Sequence, residues 1–95
     1  MSDRSAYIEK AKAKLDEWNA EIDRLEAKAR ETSADAQIKR EQEMKKLEAQ
    51  REEVQTRLKE LQSSGDSAWE DVKDGFESAW NNLTSSVERA QSRFS

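Results

Sequence analysis

Twenty-one aspartates and glutamates give this sequence its clearest capacity for chemistry. A pair of carboxylates can divide the roles of general acid and general base, provided an apolar pocket raises the pKa of one of them. No such pocket is legible here. The acids are interleaved with 17 lysines and arginines, and no two of them read as an organised acid–base pair. Histidine is absent, which removes the commonest general base, neutral metal ligand and pH switch. Carboxylate-bridged metal bundles that need Glu-x-x-His pairs are therefore excluded. Cysteine is also absent, so neither a disulfide framework nor a thiolate metal site can form. The sequence predicts no catalytic, cofactor-binding or metal-ligating residue, and the protein is expected not to be an enzyme.

The other residues with chemical character are aromatic, and two of the three tryptophans and both phenylalanines follow Gly65. There Ala68-Trp69-Glu70-Asp71-Val72 with Phe76 recurs eleven residues later as Ala79-Trp80-Asn81-Asn82-Leu83 with Val87. A partial third copy contains Ala90 and Phe94. An eleven-residue period is about 3.67 residues per turn, so this stripe stays nearly straight along a helix. Such a face can fill a bundle core or lie in a lipid interface. The residues concerned are Trp69, Val72, Phe76, Trp80, Leu83 and Val87. The acids Asp66, Glu70, Asp71, Asp74, Glu77 and Glu88 outnumber Lys73, Arg89 and Arg93 in this segment. That balance disfavours an anionic bilayer and makes the bundle core the first expectation, with peripheral lipid binding as the alternative.

The elements that must position these residues are helices. At 34% hydrophobic and 40% charged, with a mean hydropathy of −1.18, the chain suits either disorder or a long helix with one thin apolar stripe. Proline is absent and glycine occurs only twice, which favours helix. Ninety-five residues allow a single domain. From Ile8 the residues Ala11, Leu15, Trp18, Ile22, Leu25, Ala29, Thr32 and Ala36 step by three and four, as heptad a and d positions do. The next seam positions would be Lys39 and Glu43. The stripe resumes out of register at Met44, Leu47, Val54, Leu58 and Leu61, as after a four-residue stutter. The spacing predicts one continuous helix over about 4–62. A break at Thr32-Ser33-Ala34-Asp35, with Thr32 as a cap, is the alternative.

A second break is marked by Gly65, placed to adopt the left-handed conformation after a helix end. Ser67 and Glu70 have the spacing of a capping box. The turn is expected at 63–67 and the second helix over about 68–93. Folding it back on the first helix brings together residues whose numbers sum to about 130. Trp69 then meets Leu61, Val72 meets Leu58, Phe76 meets Val54, Leu83 meets Leu47, Val87 meets Met44 and Phe94 meets Ala36. Trp80 falls opposite Gln50 and Arg51, where an arginine stem could cover the indole. Gly75 inside this helix is expected to admit close packing, a hinge being the alternative.

The expected fold is thus all-α, an antiparallel helical hairpin with one long and one short helix. At 1.5 Å per residue the first helix spans about 85 Å and the second about 40 Å. Such a hairpin leaves the seam of Ile8, Leu15, Trp18, Ile22 and Leu25 uncovered, and self-association is the economical way to cover it. A homo-oligomer is predicted, a dimer first, with coiled-coil and four-helix-bundle packing and those five residues at its interface. A helical protein partner is a further class the seam admits. Net charge is −4 with both signs interleaved, which argues against nucleic acid. No stretch approaches the roughly 20 apolar residues of a membrane span, and Met1-Ser2-Asp3-Arg4 lacks the apolar run of a signal peptide. A soluble, cytoplasmic protein is the expectation.

The stretches Tyr7-Ile8-Glu9-Lys10 and Leu15 to Ile22 resemble the opening of a group of small bacterial coiled-coil proteins, a stress-response family of cyanobacterial type. Ser64 to Asp71 and the closing Ser92-Arg93-Phe94 are similar to the second half of that family. The resemblance is weakest from Thr32 to Met44. It implies a bacterial, non-enzymatic protein associated with stress, and brings no catalytic residue and no mechanism.

Overall fold

In the computed structural model, which describes residues 3–31 and 33–94 apart from the Phe94 side chain, the chain is all helical, with no strand among the described residues. It forms three helices of similar length: α1 (Asp3–Arg30), α2 (Ala34–Ser63) and α3 (Trp69–Phe94). The continuous helix expected over 4–62 is corrected: α1 ends at Arg30 and a separate helix, α2, begins at Ala34. The Glu31 amide bonds the Lys28 carbonyl at 3.1 Å, and the Gln37 amide bonds the Ser33 carbonyl at 2.9 Å to begin α2. Ser33, with extended φ −66° and ψ 158°, is the cap. Thr32, the cap in the alternative reading of a break here, lies outside the described residues, as does the side chain of Phe94 that was paired with Ala36.

Energetics explain why the chain bends without glycine or proline. A break forfeits about four backbone hydrogen bonds, each worth a net ~0.5–1.5 kcal/mol. In return α1 folds onto the other two helices. Leu15, Ile22 and Leu25 become 6%, 0% and 2% exposed, and burying each such side chain contributes ~1.5–3 kcal/mol. Burial wins. The overall extents of 50 × 18 × 17 Å fit three helices side by side and leave no room for an arm of about 85 Å.

The helices run up, down and up. The antiparallel pair α2 and α3 packs most extensively. Arg57 lies against Gly75, and Glu43 accepts an ion-paired hydrogen bond from Arg93. Helix α1 runs antiparallel to α2 and parallel to α3. Arg51 approaches Asp23 at 3.9 Å, and Gln91 donates to Glu21 at 2.7 Å. The first turn of α1 is tied to the α2–α3 connection by Arg4, which pairs with Asp66, bonds the Ser64 carbonyl at 2.7 Å and stacks 4.5 Å from the Trp69 ring.

The core is one apolar column with five residues from each helix: Ala11, Leu15, Ile22, Leu25 and Ala29; Met44, Leu47, Val54, Leu58 and Leu61; Phe76, Ala79, Leu83, Val87 and Ala90. The register change read as a stutter is the turn itself, after which α2 starts a stripe of its own. The half-buried Arg51 fills the gap in that stripe between Leu47 and Val54, bonded to Glu48 at 2.5 Å.

Two glycine expectations are corrected. No glycine has positive φ, so Gly65 is not a left-handed cap. The end of α2 is closed by Ser64, whose hydroxyl donates to the Leu61 carbonyl at 3.0 Å. The first bond of α3 runs from the Val72 amide to the Ala68 carbonyl, so Ser67 lies one residue too early to cap it. At Gly75 an added Cβ would come no closer than 3.8 Å to Arg57, so close helix approach does not require glycine there.

Ile22→Ala should destabilise the isolated protein by ~2–5 kcal/mol in urea denaturation; a projecting arm would register almost no change. Gly75→Ala should stabilise it by ~0.4–1 kcal/mol, raising Tm by about 2–8 °C. A lowered Tm would show that the close packing first inferred at this position is real.

Candidate interaction site

Two open grooves flank the core, one on each side of α1. The first lies between the second half of α1 and the first half of α2. Its floor is Ala29 and Met44, its rim carries Ala49, Glu26, Glu41, Glu48, Glu52, Arg30 and Lys45, and it encloses about 540 Å³. Alanines on both helices keep it open. Ile38, 64% exposed, stands on the same face of α2, in the series Ile38, Glu41, Lys45, Ala49 and Glu52 that steps by three and four.

Across this groove the antiparallel register brings Glu26 beside Glu48. The Glu48 oxygen Oε2 accepts from Arg51, while its buried Oε1 has no donor. Hydrogen bonding to Glu48, then burial, then the charges of Glu48 and Asp23 hold the Glu26 carboxyl above its usual value, with Arg51 pulling the other way. The two carboxyls meet across the helices, an arrangement that sequence spacing did not predict.

The second groove, about 260 Å³, lies between the first half of α1 and the middle of α3. The parallel course of the two helices sets Tyr7 edge-on to Trp69 at 6.0 Å and to Phe76 at 6.1 Å. Phe76 stacks on Trp80 at 6.2 Å, and Trp80 lies 6.3 Å from Trp18. Lys73 sits 5.0 Å from the Tyr7 ring centre. The Tyr7 hydroxyl donates to Glu77 at 2.9 Å. Burial, that bond and the charges of Glu77 and Asp74 all hold the phenol well above its ordinary pKa, so it stays protonated.

The residues singled out by sequence are redistributed. Leu15, Ile22 and Leu25, assigned to an oligomer interface, are core residues of the single chain, and Ile8 and Trp18 are half-buried against it. The physical reason is the break between α1 and α2, which lets α2 and α3 cover the seam. Of the α3 face, Phe76, Leu83 and Val87 are 4%, 0% and 0% exposed, while Trp69, Val72 and Trp80 are half-buried beside the core. The three buried residues can meet a lipid surface only if α3 leaves the bundle. Trp80 turns toward Trp18 on α1, not toward Arg51, whose guanidinium is held by Glu48 and Asp23. Sequence reasoning missed Tyr7, Lys10 and Lys14, because their neighbours belong to a helix pairing it did not predict. Ile38 carried a signal of its own, as an apolar residue outside both stripes.

Among the described residues no cluster of histidine, cysteine, aspartate or glutamate could hold a metal ion, and no helix is long and apolar enough to cross a membrane. Comparison with protein-family models, curated proteins and solved structures finds no match to this chain.

The raised pKa of Glu26 has a definite sign. The folded chain holds this proton more tightly than the unfolded chain, so the contribution is full below the ordinary value of 4.5 and is lost as pH rises through the folded value. Glu26→Gln should therefore raise Tm at neutral pH by about 1–4 °C, as relief of a solvated like-charge pair does. The gain should vanish at acid pH in parallel thermal melts; a gain independent of pH would show that the Glu26 charge is not its source.

Proposed function

We propose that this chain is a non-enzymatic structural protein that works by helix-to-helix self-association, through the outer stripe of α2 and the groove beside it. The observation that carries this reading is Ile38, among the described residues the large hydrophobic side chain left exposed, at 64%, next to a groove floored by Ala29 and Met44. The stripe is self-complementary. Two copies of α2 laid antiparallel about a point near Glu43 and Met44 set each Ile38 on Ala49 of the other copy. In the same register each Glu41 falls beside Lys45 of the other copy. Two apolar anchors and two ion pairs then repeat around a two-fold axis, as an isologous interface requires. This places the predicted homodimer on a surface other than the α1 seam. The proposed stress role enters through the family resemblance alone.

Sedimentation of the wild-type chain should give a dimer. Ile38→Glu should weaken the dimer at least about a hundredfold, since each of two anchors contributes ~1.5–3 kcal/mol on burial. Its circular dichroism should be unchanged, because Ile38 is outside the core. Glu41→Lys should also weaken the dimer, and adding Lys45→Glu should restore it. A wild-type chain that sediments as a monomer at all concentrations would sink the reading.

A further inference from the structure

The α1–α3 groove lies apart from the α2 stripe and shares no residue with the α1–α2 groove. Its apolar side is Tyr7, Phe76 and Trp80 around Ala11, and its polar side is Lys10, Lys14, Glu77 and Asn81. One lip carries Lys10 and Lys14, one helical turn apart and both exposed. Among the described residues, neither lysine forms an ion pair. The opposing acid, Glu77, is engaged by the Tyr7 hydroxyl. The aromatics of this face already accept cations, Arg4 over Trp69 and Lys73 over Tyr7. The groove thus sets two exposed lysines beside aromatic surface, with one acid, Glu77, facing them.

We propose that this groove binds a free, medium-chain carboxylate, its acyl chain lying along Tyr7, Ala11, Phe76 and Trp80 and its carboxylate between Lys10 and Lys14. The fit is one of charge and shape. An acyl chain needs no hydrogen-bond partner and follows a groove that runs with two parallel helices. A single anionic head satisfies two ammonium groups one turn apart. The acidic balance of α3 read alone argued against anionic ligands; α1 reverses the sign locally by bringing its two lysines to that helix.

The test is a titration of the full chain with decanoate below its aggregation concentration, followed by calorimetry and by the indole N–H resonance of Trp80, assigned through Trp80→Phe. Decanol and vesicles of phosphatidylglycerol are titrated in parallel. The expected result is one decanoate per chain with a shifted Trp80 resonance. Binding should be at least about tenfold weaker for decanol and for the double variant Lys10→Glu/Lys14→Glu, and retained in Lys10→Arg/Lys14→Arg. Both lysines are exposed, so the charge-reversed chain should melt as the wild type does. Absence of decanoate binding would overturn the proposal, as would equal binding of decanol or indifference to charge reversal. A Trp80 shift with vesicles but not with decanoate would also overturn it, by assigning this face to a lipid surface.

Discussion

An amphipathic helix of 28 residues cannot leave Leu15, Ile22 and Leu25 in water along its length, and the rest of this structure depends on how α1 covers them. The chain gives up helical hydrogen bonds between α1 and α2 and brings α1 back along α2 and α3. Once that turn is made, three stripes close on one column of fifteen buried residues. The parallel course of α1 and α3 follows, and so do the aromatic contacts between Tyr7, Trp18, Trp69, Phe76 and Trp80.

The division between aliphatic and aromatic residues has a physical basis. Leucine, isoleucine and valine fill the fully buried positions because they carry no polar atom to satisfy. Three tryptophans and the tyrosine stay half-buried at the α1–α3 edge, where one side of each ring packs and a polar atom can reach water or a partner. Tyr7 does so through Glu77. The edge is therefore a place where apolar surface and charge meet without either being fully covered.

Much of the fold was legible because heptad and eleven-residue spacings are local. The α1 stripe from Ala11 to Ala29 and the α2 stripe from Met44 to Leu61 are the buried faces that the spacing picked out. The all-helical class followed from the near absence of glycine and proline. The turn was not decisive in the sequence, because its cost and its gain differ by only a few kcal/mol and no strong breaker marks it. From that one point the rest diverged. With a continuous helix, Leu15, Ile22 and Leu25 had to be covered by a second chain; with a bent one, they are covered by the first. Lys10 and Lys14 beside Trp80, and Glu26 beside Glu48, depend on packing between α1 and its neighbours, and no spacing within one helix could reveal them.

An odd number of helices leaves the bundle with an uncancelled backbone macrodipole. The N-termini of α1 and α3 share one pole with the C-terminus of α2, so that end keeps a net positive partial charge and the other a net negative one. The side chains answer it. Asp3, Glu70 and Asp71 stand in the first turns at the positive pole, and Lys28, Arg30 and Arg93 in the last turns at the negative pole. Each such placement contributes ~0.3–1 kcal/mol at low ionic strength. The molecule is thus a 50 Å rod whose ends differ in electrical sense as well as in sequence. Rods laid side by side favour head-to-tail over head-to-head alignment, a bias that salt would screen within about 10 Å.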